Sequence, residues 1–140
     1  MITATLLRFL LLLMSFQAEQ TSGPVLAPLH TVNLIADHNS VFRVVGGKAS
    51  ELALVAGEPV LLRVDARKAK STNRDGSIHG LLLLDAARKP VPGWDLLFKP
   101  GMQEIQLIAP AQAGVYQAVC TVICSSDHDQ MKLRVVVTAK

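Results

Sequence analysis

The chain has 140 residues, half of them apolar, 18% charged and 4% aromatic, and 14 basic residues against 11 acidic ones give a formal charge of +3. So apolar a chain is not disordered, its length suits one domain, and its two cysteines cannot build a disulfide-dense scaffold. One Trp, one Tyr and four Phe beside a small basic excess argue against a nucleic-acid binder.

The first segment reads as an export signal. Arg8 precedes an uncharged, mostly apolar run over residues 9–16, the order of charged and apolar regions in a secretory signal. The run is shorter than the roughly 20 apolar residues of a spanning helix. Residues 1–18 are therefore read as a signal peptide or N-terminal anchor, with cleavage after Ala18. The folded part is expected outside the cytoplasm, periplasmic in a bacterium, touching a membrane only if this segment is retained. Residues 19–40, with Gly23, Pro24 and Pro28, read as a linker with room for a first strand. His30 and His38, the latter in Asp37-His38-Asn39-Ser40, are expected to face solvent.

Residues 41–140 read as the folded domain. Apolar runs rich in Val, Ile and Leu cover residues 41–45, 51–56, 60–64, 78–84, 94–98, 103–108, 115–119 and 131–138. Gly or Pro punctuates nearly every gap, as in Gly46-Gly47, Gly57-Glu58-Pro59 and Pro100-Gly101. Short strands at regular spacing with turn chemistry between them predict an all-β sandwich or barrel. Leu81 to Leu84 is continuously apolar, as in a central strand covered on both faces. Pro90 and Pro92 are expected to lie in the gap between two strands, and Met102 to serve packing. Arg63, Arg67, Lys68, Lys70 and Arg74 crowd one polar stretch; they suit a solvated loop or a docking patch for an acidic partner.

The chemistry lies near the C-terminus, in Cys120-Thr121-Val122-Ile123-Cys124-Ser125-Ser126-Asp127-His128-Asp129-Gln130-Met131. Two thiols, an imidazole and a thioether fall within one loop between two strands. Thiolate and thioether suit copper, and imidazole suits copper or zinc. Three other readings compete. A Cys120–Cys124 disulfide would close a tiny loop with little entropic gain and leave His128 and Met131 unexplained. Structural zinc would take the cysteines and the histidine but has no use for Met131. Chance placement in core and surface is the third.

Cys-x-x-x-Cys-x-x-x-His-x-x-Met on the last loop of an exported β-sandwich resembles the CuA site of cupredoxin domains, found in cytochrome c oxidase subunit II and nitrous-oxide reductase. Two further stretches are similar to that pattern: Ala113-Gly114-Val115-Tyr116 leading into Cys120, and His79 in Ser77-Ile78-His79-Gly80, where the family has a second histidine. The resemblance spans residues 41–138 and implies a Greek-key β-sandwich holding two coppers. Cys120 and Cys124 would bridge the metals, His79 and His128 would ligate one each, Met131 would be a weak ligand on one, and the Val122 carbonyl a weak ligand on the other. Val122 also departs from the pattern, since oxidase subunit II carries a glutamate there that helps bind magnesium. The transmembrane hairpin of that subunit is missing too, as is its aromatic electron-entry segment. The resemblance thus implies a free-standing electron carrier without catalysis of its own. Its partner would be a redox protein such as a c-type cytochrome or a terminal reductase, or a copper chaperone. The alternative is a periplasmic protein that binds and delivers Cu(I) with the same ligands. Asp127 and Asp129, flanking His128, read as loop surface.

Overall fold

A computed structural model describes residues 29–37 and 39–140. Residues 1–18, read as a signal peptide or anchor, and His38 lie outside the described residues. Among the described residues, nine strands form two sheets: β1 His30–Asp37, β2 Val41–Val45, β3 Glu51–Val55, β4 Pro59–Ala66, β5 His79–Leu84, β6 Pro90–Phe98, β7 Gly101–Ile108, β8 Gly114–Val119 and β9 Lys132–Thr138. One sheet has the order β2-β1-β4-β7, the other β3-β9-β8-β5-β6. The pairs β1–β4 and β3–β9 are parallel and the rest antiparallel.

The period of two in the sequence becomes the packing. In β4, Val60, Leu62, Val64 and Ala66 alternate inward, and in β9 Leu133, Val135 and Val137 do the same. Side chains from both inner faces fill a single core with Trp94, Phe42 and Phe98 as its largest members. β5 has a strand on each side, and every residue except Leu82 is buried, as its unbroken apolar run predicts. Tyr116 ties down the approach to the last hairpin, its hydroxyl donating to the Gln112 carbonyl at 2.8 Å.

Three expectations need correction. β6 begins at Pro90, four residues earlier than the apolar run suggests, and contains both Pro90 and Pro92. Proline cannot donate to a ladder, but β6 is the sheet's edge and its register with β5 shifts between Leu82 and Leu84, where proline is tolerated. Met102 does not pack: it stands 69% exposed at the start of edge strand β7. His30 is not simply solvated. It opens β1, and its Nδ1 lies 2.7 Å from Glu58 Oε1, an acceptor that also receives the Val55 amide at 2.8 Å. No described helix is long and apolar enough to cross a membrane.

Candidate metal centre

One end of the sandwich gathers the ends of β1, β4, β6 and β8 and the starts of β5 and β9. The loop between β8 and β9 closes at its base, where the Cys120 amide donates to the Met131 carbonyl at 3.0 Å. Within it, the Asp127 amide donates to Ser125 Oγ at 3.3 Å, a local serine bond that competes with extended structure. One 3₁₀ turn, His128–Gln130, then brings the chain back to β9.

Loops from the other sheet hold this one in place. The Lys70 and Ser71 amides both donate to the Cys124 carbonyl, at 3.0 and 3.3 Å. The Ser71 hydroxyl donates to the Ile123 carbonyl. From the β1–β2 turn, Ser40 meets Ser125 through their hydroxyls, and both residues are buried. Ser40 adopts a positive φ of 61° to do so. Sequence reasoning missed all of these groups, because their partners are more than 50 residues away and no local spacing marks them.

Inside the loop, Cys120 and Cys124 are both buried and unbridged. Their sulfurs lie 3.9 Å apart. Cys124 Sγ is 4.0 Å from Met131 Sδ, and Met131 is wholly buried. Cys120 Sγ is 3.3 Å from the Val122 carbonyl oxygen, which also accepts the Cys124 amide at 2.8 Å. Burial pushes the Cys120 thiol up, and the neighbouring Cys124 adds to that, while hydrogen bonds from the Gly80 and Val122 backbone pull the other way.

His79 completes the cluster from β5. It is fully buried, and its Nε2 lies 2.9 Å from the Arg67 carbonyl oxygen. A carbonyl can only accept, so Nε2 carries the proton and Nδ1 keeps its lone pair. That Nδ1 is buried without a hydrogen-bond partner. One potential ligand atom each from His79, Cys120 and Cys124 lies within 4.8 Å of the other two. Buried polar atoms normally have partners, and a metal ion would give this orphaned nitrogen beside two thiols one. The donor set of two thiols, one thioether and one imidazole fits a soft transition ion, copper above others. The structure thus brings together His79, Cys120, Cys124, Met131 and the Val122 carbonyl. His128 sits on the same loop but outside the three-residue group, half-buried, with Nδ1 3.2 Å from the Ser125 carbonyl oxygen.

Burial lowers the His79 pKa, outweighing the hydrogen bond to Arg67 and the field of Asp37, which act to raise it. The sign of its effect on stability follows. Below the ordinary histidine value of about 6.5, the unfolded chain takes up a proton that the native ring refuses, so stability is lost as pH falls through that region. The metal-free protein is expected to show a lower urea midpoint at pH 5.5 than at pH 7.5, with a smaller difference in His79→Gln. An equal difference in both proteins would refute the assignment.

Gly80 shows how tightly β5 meets the loop. A Cβ at Gly80 would run into Thr121 Oγ1 and lie 3.2 Å from the Leu96 carbonyl oxygen. Gly80→Ala is expected to cost about 1–3 kcal/mol, the usual penalty for overpacking. Thr121 follows Cys120 directly, so the same change should alter the spectrum of any metal bound there. An unchanged melting temperature and spectrum would show that the loop yields freely.

No protein-family model and no curated protein sequence matches the chain. Solved structures do. A heme-copper terminal oxidase dimer superposes with a TM-score of 0.57 at 17% identity, covering 81% of this chain and 68% of that one. Auracyanin A, a "blue" copper protein from Chloroflexus aurantiacus, gives 0.51 at 20% identity over 77% of this chain and 98% of its own. Rusticyanin from Thiobacillus ferrooxidans gives 0.51 at 19% identity over 77% and 76%. At these identities the likeness is one of fold, and together with the two sheets it makes this chain a cupredoxin-like Greek-key β-sandwich.

Proposed function

We propose that the chain is an exported copper protein that carries single electrons. The observation supporting this is the buried cluster of His79 Nδ1, two thiols and a thioether at one end of a cupredoxin-like sandwich. Cys120, Cys124, His79 and Met131 would hold the metal, with His128 and the Val122 carbonyl completing the set. The two adjacent thiols, together with the likeness of the Cys120–Met131 loop to CuA sites, are the basis for proposing two coppers of CuA type. Copper, when bound, supplies a one-electron couple.

The protein contributes three things. Its ligands are held from outside by Lys70, Ser71 and Ser40, so little has to move when the charge of the site changes. Burial excludes water, and the hydrogen bond from His79 Nε2 to the Arg67 carbonyl would tune the potential. With all of these donors on the metal, no position would be left open for a substrate, which supports a carrier rather than an enzyme. The partner would be a redox protein in the periplasm, such as a c-type cytochrome or a terminal reductase, or a copper chaperone.

Metal reconstitution tests this reading. The reduced protein is loaded with copper, copper per chain is measured, and visible and EPR spectra are recorded. Two coppers with a delocalised mixed-valence signal are expected. A single colourless Cu(I) without a stable oxidised form would overturn electron transfer in favour of copper delivery.

A further inference from the structure

The cluster of charged residues beside the metal end is not fully absorbed by the ligand set. Asp37, the last residue of β1, is only 4% exposed. A buried carboxylate is costly unless paired. Asp37 Oδ2 lies 2.6 Å from Arg43 Nη2 and 3.5 Å from Arg67 Nη1. Arg67 is fixed at two further points: its Nε lies 2.9 Å from Asp65 Oδ2, and its amide donates to the Ala36 carbonyl at 2.8 Å. The same residue's carbonyl accepts from His79 Nε2 at 2.9 Å. Thus one residue joins a buried carboxylate to the proton that decides which ring nitrogen of His79 faces the sulfurs.

We propose that Asp37 and Arg67 form a positioning pair for His79: their ion pair clamps the end of β4 so that the Arg67 carbonyl holds the ring as the Nε2–H tautomer, and their opposite charges bias the metal site in opposite directions. This rests on the copper reading for its second half only. The tautomer belongs to the metal-free protein and is decided without copper. The pair holds the ring through the Arg67 carbonyl, and its charges act on the site through space. The fixed tautomer matters because only the unprotonated nitrogen can ligate, and in a buried ring that does not turn over freely the wrong tautomer presents a proton to the sulfurs. The charges matter because a negative group near the site favours its more oxidised, more positive state, and a positive group disfavours it.

The test uses Asp37→Asn, which keeps the shape of the carboxylate, and Arg67→Gln, with Arg67→Lys as the conservative variant. Circular dichroism establishes that each folds. In metal-free protein, ring nitrogen NMR of His79 is expected to report a single Nε2–H tautomer in wild type and a mixture in both disruptive variants, with Arg67→Lys closer to wild type. In copper-loaded protein, Asp37→Asn is expected to raise the reduction potential and Arg67→Gln to lower it. An unchanged single tautomer in both variants overturns the positioning role. Potentials that move in the same direction, or not at all, overturn the charge bias. If the wild type does not load copper but the tautomer shifts as expected in the variants, the positioning role stands and the copper reading is what fails. Should Asp37→Asn not fold, Arg67→Lys and Arg67→Gln carry the same two readouts.

Discussion

Cys124→Ala is expected to abolish the thiolate–copper absorption and to weaken copper binding by more than about 100-fold, beyond the 10–100-fold typical of losing a group that only hydrogen-bonds to a ligand. Cys124 Sγ is the centre of the cluster, 3.9 Å from the other thiol and 4.0 Å from the Met131 sulfur. No described group replaces it. The fold should survive the change, because the bonds that seat this residue are made by its backbone. Its carbonyl accepts from Lys70 and Ser71, and its amide donates to Val122; alanine keeps all three. A copper titration with visible spectra, run beside a thermal melt, separates the two effects. Met131→Leu removes a weaker ligand and should shift the spectrum without abolishing binding. Wild-type affinity and spectrum in Cys124→Ala would refute the ligand assignment outright.

Trp94→Ala is expected to have the largest effect on stability, about 3–5 kcal/mol, a large share of the 5–15 kcal/mol typical of a domain. Trp94 is 1% exposed, and its indole Nε1 donates to the Ile108 carbonyl at 2.8 Å. It stands on β6, the edge of one sheet, while Ile108 ends β7, the edge of the other. The ring therefore closes the open side of the sandwich and also fills the core. The melting temperature of the metal-free protein should fall by at least about 10 °C. The copper spectrum, recorded well below the melt, should not change, because Trp94 lies roughly 13 Å along the strand from Phe98, the residue that pairs with His79. A drop of a degree or two, or a spectral change without destabilisation, would contradict this division between core and site.

The strands were largely legible in the sequence because their signal is local. Alternation of Val, Leu and Ile with polar residues sets which face is buried, and glycines and prolines mark where strands stop. β2 matches its apolar run residue for residue. The failures have the same origin. Pro90 and Pro92 break a ladder only if the strand has two neighbours, and whether β6 lies at an edge is a matter of sheet order. Met102 is apolar in sequence, yet it faces outward from an edge strand. Its own run could not reveal which sheet would cover it.

The candidate site divides the same way. The loop from Cys120 to Met131 announces its chemistry because four soft or nitrogen donors share one short stretch. The sequence by itself therefore determined the donor types, the all-β class and the loop that carries most of the candidate ligands. Only the tertiary structure decided that His79, 41 residues before Cys120, reaches the sulfurs with a bare Nδ1. The structure also set His128 at the rim and gave the loop its outer supports in Ser40, Lys70 and Ser71. The physical reason is range. Side-chain chemistry and strand periodicity are properties of neighbouring residues, whereas convergence, burial and the tautomer of a buried ring depend on contacts that exist only after two sheets have packed.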